Sequence, residues 1–407
     1  DKSEMELRFQ SIGRKVEGID FKVCLIIYNG YFSHRMKVGF IHDWFTIPGG
    51  AEKVAKEIID IIQPHSIMSL FNFMDFGTLQ HITQGRGVKT SFLQQLPNAE
   101  KHYRHLVPFF PAAISRMDVS DFDIIISSSW LAAKGVRKHK NQTHISYCHT
   151  PMRFAWGLEN TYLNKYGFNS GLKRIFAKLM IKRLKKWDVE TAQNVDHFIA
   201  NSKFVANRIK HAYGRESAVI YPPVDTKRFT LQEHKEDYYF TAARLVDYKN
   251  IELIIKAFAK LPKHKLIIAG QGPMEAYLKK LASPNVEFVG WVDDDQLVKL
   301  MQNAKAFVNA SIEDFGIAGL EAQSCGTPVI ALGKGGYLET VVENETGMFF
   351  KREHPEVLVD TILRFERHQF DPYVIRRNAK RFDKEIFRVQ FLNFFLDKCF
   401  DHAKIMA

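Results

Sequence analysis

The stretch "SIEDFGIAGLEAQSCGTPVIAL", residues 311–332, sets two carboxylates, Glu313 and Glu321, eight positions apart around the small apolar run "FGIAG". On one continuous helix, eight residues at about 100° each leave the two side chains roughly 80° out of register, so a paired-carboxylate helix face is a poor account. A helix that starts between them is a better one. Gly316 then stands at its mouth, Glu321 in its first turns and Gly326 just past its end, where a left-handed backbone stops a helix. The run "PVIAL", Pro328 to Leu332, reads as a buried strand. Glu313 is therefore expected on a loop facing a helix N-terminus, where the amides of Gly316, Ile317 and Ala318 lack intrahelical partners and point at whatever lies in front. Such a site would hold an anionic ligand beside a carboxylate.

Outward from that stretch, short apolar runs alternate with helical patterns along almost the whole chain. "KVGFIHDW", "AEKVAKEIIDII", "FDIIISSS", "THISYCH", "VDHFIANS" and "SAVIYPPV" form one series, and "YYFTAARL", "IELIIKAFAKL", "KLIIAGQGP", "VEFVGWV", "AFVNAS" and "TPVIAL" a second. This alternation predicts parallel strands joined by helices, the doubly wound α/β architecture. The stiff segment "YPPVDTKRF" (221–229) separates the series. We expect one Rossmann-like domain over 36–222 and another over 223–382, facing each other across a cleft, since open α/β sheets bind ligands beyond the carboxyl ends of their strands. The amphipathic tail 383–407 is expected to be a helix crossing back to the first domain. Residues 1–35 are polar and without period at their start and read as a dispensable extension that need not be native to the fold, although "FKVCLIIYNGYF" (21–32) would suit an edge strand.

At 407 residues the chain can bury two sizeable cores, and 46% hydrophobic with 25% charged residues is an ordinary globular balance. No run of eighteen uninterrupted apolar residues suggests a spanning helix. A net charge of +12 and a pI near 9.3 favour an anionic partner: nucleic acid, a sugar nucleotide or an anionic membrane surface. Cys24, Cys148, Cys325 and Cys399 are far apart and lack Cys-x-x-Cys spacing, which argues against a zinc site and for a reducing compartment.

Several constellations fall at strand ends. Arg244 and Lys249, in "ARLVDYKN", leave a strand and enter a helix, where fixed cations suit a diphosphate; a solvated basic loop would look the same in isolation. Gly49 and Gly50 lie between the first strand and first helix, where bare backbone amides can approach phosphate oxygens, or where the chain simply turns. His149 closes the strand of "THISYCHTPMRFAW" and faces the expected cleft, which favours a substrate contact over a purely structural histidine. "LKRIFAKLMIKRLKKW" (172–187) holds seven Lys or Arg and no acid, with Leu172, Ile175, Phe176, Leu179, Met180, Leu184 and Trp187 on one helical face. That pattern fits an interfacial membrane helix or a core-packed helix with a solvated face. Val107, Phe109 and Phe110, set between prolines, look awkward to bury and suited to lipid.

Taken together, "GGAE", "YCHTPMRFAW", "ARLVDYKN", "GQGP", "EDFGIAGLEAQSCGTPVIA" and "GGYLETV" resemble the family 4 retaining glycosyltransferases of GT-B fold, from Met36 to about residue 400. The resemblance implies that Glu313 contacts the donor sugar, Glu321 the nucleotide ribose, and Arg244 and Lys249 the diphosphate. It also implies that His149 and the Gly49–Gly50 loop complete the site from the first domain, and that neither a metal nor any cofactor beyond the sugar-nucleotide substrate is needed. The base-reading loop falls near Gly290, Trp291 and Val292. "YCHTPMRFAW" is similar to mannosyltransferases of bacterial surface-polysaccharide assembly, which implies GDP-mannose and a glycan or polyprenyl-diphosphate-linked acceptor, while the basic helix 172–187 and the "VPFFP" segment add the expectation of a peripheral site of action on an anionic membrane surface, the cytoplasmic face of the cell membrane. Where many members carry Glu-Gly-Phe-Gly, this chain has Glu313-Asp314-Phe315-Gly316, so a UDP-sugar stays open as donor. A dinucleotide oxidoreductase would want Gly-x-Gly-x-x-Gly after the first strand, where "HDWFTIPGGAEK" stands. A nucleic-acid binder would need no buried carboxylate pair, and nucleic acid is set aside as a partner.

Overall fold

The structure, a computed structural model, describes residues 36–157, 159, 163 and 170–406. The extension 1–35, with its candidate strand 21–32 and Cys24, lies outside them. The chain divides into two compact units: described residues up to Tyr221 together with Phe387 onward, and Pro222–Ile386.

The first unit is built on a seven-stranded parallel sheet of β1 (Val38–Phe45), β2 (Ser66–Asn72), β3 (Val88–Thr90), β4 (Ile124–Ser129), β5 (Thr143–Cys148), β6 (His197–Ala200) and β7 (Ser217–Val219), in the order 3-2-1-4-5-6-7. All six residues of β4 and of β5 are buried, as expected of strands covered on both faces. The strand order reverses between β1 and β4, and ligands of doubly wound sheets bind at such a point. Helix α1 (Gly50–Ile62) lays Val54, Ile58, Ile59 and Ile62 on the sheet. Phe387, Phe391, Leu392, Phe395 and Cys399 of the last helix enter the same core, and Arg388 fixes that helix to α1 through Glu57 (2.5 Å) and Asp60 (2.6 Å).

Helix α2 (Gly171–Ala192) divides into halves that the sequence treats alike. Leu184, Asp188 and Ala192 are buried, and Lys134 forms a buried ion pair with Asp188 at 2.5 Å. Toward the N-terminus, Leu172, Ile175, Phe176 and Leu179 are 57–84% exposed. The single apolar face expected over 172–187 is thus packed only in its second half. The expectation for the proline-flanked segment is also corrected: Phe109 is exposed and Val107 half-buried, but Phe110 is 1% exposed and packs with Trp44 and Phe71. Its prolines sit inside short helical turns and leave Phe110 free to face the core. Among the described residues no helix is long and apolar enough to cross a membrane.

The second unit has a six-stranded parallel sheet of β8 (Tyr238–Ala242), β9 (Lys265–Ala269), β10 (Val286–Gly290), β11 (Ala306–Asn309), β12 (Val329–Leu332) and β13 (Gly347–Phe350), in the order 10-9-8-11-12-13. It reverses between β8 and β11, so the same topological device occurs twice. Helix α3 (Ile251–Phe258) follows β8 and α4 (Ile317–Ser324) follows β11; the last helix, α5, runs Lys384–Met406.

Candidate functional site

In the second unit the two sequence-predicted groups flank the strand-order reversal. The loop leaving β8 carries Arg244, exposed to solvent, and turns through Asp247–Lys249 into α3. It is held by its neighbour: Leu245 donates to the Gln271 carbonyl (3.0 Å) and accepts from the Met274 amide (3.1 Å). The approach is so close that a Cβ at Gly270 would lie 2.0 Å from the Ala243 oxygen, and one at Gly272 2.3 Å from the Leu245 oxygen. Only glycines in "GQGP" allow the two loops to pass.

The loop leaving β11 carries Glu313. Lys249 Nζ donates to Glu313 Oε1 at 2.6 Å, and the Ser311 hydroxyl donates to the same oxygen at 2.6 Å. The side chains of Lys249 and Glu313 are only 20% and 15% exposed, so the carboxylate is held on two donors at a partly desolvated spot. The loop is clamped from behind. Gly336 donates its amide to the Glu313 carbonyl (2.8 Å), and a Cβ at Gly336 would lie 2.3 Å from the Phe315 Cα. Gly316, at φ 96°, caps α4, and Gly326, at φ 74°, follows its end. The first amides of α4, Ile317 and Ala318, precede the first possible intrahelical bonds and form a positive helix end. Tyr337 packs its ring on this helix, where a Cβ at Gly319 would meet it at 2.6 Å. Burial, and then the charges of Glu313 and Glu321, push the Tyr337 hydroxyl well above its ordinary pKa. Glu321 is buried within α4. The structure therefore brings Lys249, from the loop after β8 that also carries Arg244, to Glu313 on the loop after β11 that leads through Gly316 to Ile317 and Ala318. Val292 is placed elsewhere: it follows β10, three strands from β11, and packs half-buried into the core.

In the first unit, Gly49 is the N-cap of α1 and Gly50 its first residue. His149 follows β5, and its Nε2 lies 2.8 Å from the Ser128 hydroxyl. That hydroxyl lies 3.0 Å from Nδ1 of His42 in β1, whose Nε2 faces Glu52 Oε1 at 3.6 Å. Burial, and then the proximity of His42, push the His149 pKa down to about 3, so its imidazole is neutral at physiological pH. Asp43 accepts four backbone amides, from Trp130, Leu131, Ala132 and Ala133, at 2.6–2.8 Å. It thereby sets Trp130 edge-on to both His42 and His149. Sequence reasoning missed His42, Asp43, Glu52 and Ser128 in this unit and Ser311 and Tyr337 in the other. The available signal was polar residues in otherwise apolar strands, "FIHDW" and "IIISSS".

Two family models match the chain in succession: "Glycosyltransferase Family 4" over residues 82–228 and "Glycosyl transferases group 1" over 224–382. An uncharacterized glycosyltransferase of Methanocaldococcus jannaschii is 37% identical over 150 residues, covering 34% of this chain and 38% of that protein. A GDP-mannose-dependent monoacylated alpha-(1-6)-phosphatidylinositol monomannoside mannosyltransferase of Corynebacterium glutamicum is 32% identical over 178 residues, covering 36% of this chain and 47% of that one. The matched stretches thus span less than half the length of either relative. Among solved structures, Anabaena HepE in complex with UDP-glucose superposes with a TM-score of 0.62 at 19% identity, covering 89% of this chain and 100% of that chain, a likeness of fold. With the GT-B fold of two doubly wound sheets and a family model on each half, the chain belongs to the family 4 glycosyltransferases.

Proposed function

We propose that this glycosyltransferase moves a hexose, mannose from GDP-mannose, onto a lipid-linked or polysaccharide acceptor in bacterial surface-glycan assembly, with retention of anomeric configuration and without a metal. The observation that carries the reading is the Lys249–Glu313 pair at the mouth of α4. In retaining transfer the leaving diphosphate and the incoming hydroxyl share one face of the sugar, and negative charge grows on the phosphate as the anomeric C–O bond breaks. Arg244, Lys249 and the amides of Ile317 and Ala318 offset that charge, supplying what a divalent cation supplies elsewhere. Glu313 accepts hydrogen bonds from the sugar hydroxyls and Glu321 from the ribose. The acceptor hydroxyl closes the new bond as its proton passes to the departing phosphate oxygen. His149 and the Gly49–Gly50 loop contribute from the first unit, and the backbone near Val292 reads the base.

The mannosyl donor is supported by the 32% likeness to a GDP-mannose-dependent relative, and a UDP-sugar is the alternative. Action at the cytoplasmic membrane face is supported by the first half of α2, where exposed Leu172, Ile175, Phe176 and Leu179 stand among exposed Lys173, Lys178, Lys182 and Arg183. Calorimetric titration with GDP, UDP and ADP, followed by donor hydrolysis with and without chelator, tests the proposal. Tight GDP binding and chelator-resistant turnover of GDP-mannose are expected. Preference for UDP would move the donor to a UDP-sugar, and loss of turnover in chelator would overturn the metal-free mechanism.

A further inference from the structure

One serine hydroxyl in the first unit lies between two imidazoles. His149 Nε2 and His42 Nδ1 approach Ser128 Oγ at 2.8 and 3.0 Å, and His42 Nε2 faces Glu52 Oε1 at 3.6 Å. All four side chains are at most 8% exposed. A hydroxyl has one proton, so with both rings neutral Ser128 donates to one ring and accepts from the other. The direction is set at the far end. Glu52 Oε1, at 3.6 Å an electrostatic neighbour of His42 Nε2 and not its hydrogen-bond partner, favours the ring proton on that nitrogen; with a single ring proton placed there, His42 Nδ1 is a lone pair. Ser128 must then donate to His42, and His149 must donate its Nε2–H to Ser128. His149 is left with an unprotonated Nδ1, which makes no hydrogen bond among the described residues. Asp43, the other acid beside His42, is occupied by its four amides and leaves the direction unchanged.

We infer that Glu52, His42 and Ser128 are positioning residues that lock the tautomer of His149, so that it meets a substrate hydroxyl as a hydrogen-bond acceptor at Nδ1. The chain also ties this choice to the Gly49–Gly50 loop. Glu52 stands in the first turn of α1, and its second oxygen lies 3.0 Å from where a Cβ on Gly49 would be. The inference rests on the proposed contact of His149 with substrate, but the tautomer can be read in the free protein.

The test is ¹⁵N NMR of the histidine-labelled protein, with the His149 signals assigned by their loss in His149→Gln. The parent should show Nε2 protonated and Nδ1 bare. In His42→Phe, which keeps an aromatic ring among Phe40, Phe45 and Trp130, Ser128 is free to donate to His149, so the proton should move to Nδ1. In that variant kcat should fall more than tenfold at a nearly constant donor KM, because the acceptor nitrogen has become a donor. Should His42→Phe fail to fold, Ser128→Ala removes the hydroxyl alone and should give a mixture of both tautomers. A parent with Nδ1 protonated, or a variant with the parent's tautomer, would overturn the lock. Full transfer activity in His149→Gln would instead sink the substrate contact while leaving the NMR signature in place.

Discussion

Lys249 and Glu313 are bonded to each other at 2.6 Å, and the proposed mechanism assigns one to the diphosphate and the other to the sugar. Binding must therefore draw the lysine from its carboxylate. At an effective dielectric constant of about 20, two unit charges at this separation attract by roughly 6 kcal/mol before their desolvation is counted. Desolvation takes back most of that, and the net value of a charge-assisted hydrogen bond is about 1.5–3 kcal/mol. Glu313 thus competes with the diphosphate for Lys249 at that level. Replacing Glu313 by Gln keeps the shape, removes the competing charge and leaves Ser311 as a partner. Nucleoside-diphosphate affinity should then hold or tighten, up to about tenfold for 1.4 kcal/mol, while sugar transfer falls by about two orders of magnitude or more.

Lys249→Ala should act the other way, weakening the diphosphate by about 1.5–3 kcal/mol, or roughly ten- to a hundredfold. The two changes should also couple. Removing Lys249 should cost more affinity in the Glu313→Gln background, where the Glu313 charge no longer competes for it, than in the parent. Titration calorimetry with GDP and UDP on the four proteins of the cycle gives the binding terms, and release of labelled sugar gives turnover. If Glu313→Gln lost diphosphate affinity as far as it lost turnover, the division of labour between the two side chains would be wrong.

Arg244→Ala should weaken diphosphate binding about tenfold or more with no change in melting temperature, since Arg244 is exposed; unchanged affinity would return it to a solvated loop. Gly336→Ala, which drives a Cβ to 2.3 Å from the Phe315 Cα, should both destabilise the second unit and abolish donor binding; a normally stable, active variant would refute the clamp on the Glu313 loop. His144 and His149 are both pushed by burial from the ordinary 6.5 to about 3, so their contribution to stability is complete above pH 6.5 and declines as pH falls toward 3. Each should add roughly 1.4 kcal/mol per pH unit to the acid loss of stability, and His144→Gln should remove one such increment from the slope of urea-unfolding free energy against pH; an unchanged slope would refute this. Changing Leu172, Phe176 and Leu179 together to Ser should release the protein from anionic vesicles in flotation while solution donor hydrolysis persists, and raised salt should mimic it by screening cations worth about 1 kcal/mol each near the surface. Equal flotation of parent and variant at low salt would refute a membrane role for α2.

What was legible in the sequence was local. Gly316 and Gly326 bracket a helix because left-handed backbone at both ends calls for glycine, and "PVIAL" could only be a strand once that helix had ended. The halves of α2 were not legible, because the same apolar spacing serves a face packed on a core and one left in solvent. What decides is which neighbours arrive, and here Lys134 and Trp156 reach Asp188 in the second half only. The Glu52–His42–Ser128–His149 chain was hidden for a related reason. His42 and Ser128 are 86 residues apart and become neighbours through the parallel register that pairs them directly across β1 and β4.

The same sheet contains an internal comparison that separates position from residue type. His144 and Ser127 form a second buried pair, Nε2 to Oγ at 2.8 Å, one residue back along β4 and at the other end of β5. His144 is as buried as His149, its pKa is pushed down to about 3 by the same desolvation, and its Nδ1 has no hydrogen-bond partner among the described residues. By residue type the two pairs are alike. They differ in what lies beyond: side chains alternate faces along a strand, so Ser127 points away from His42, and His144 sits where β5 begins, whereas Ser128 joins His149 to His42 at the strands' carboxyl ends. Both pairs carry the cost of a buried imidazole. Only the one at the carboxyl end, beside the point where strand order reverses, connects that cost to a carboxylate in the first turn of α1 and to a loop of two glycines.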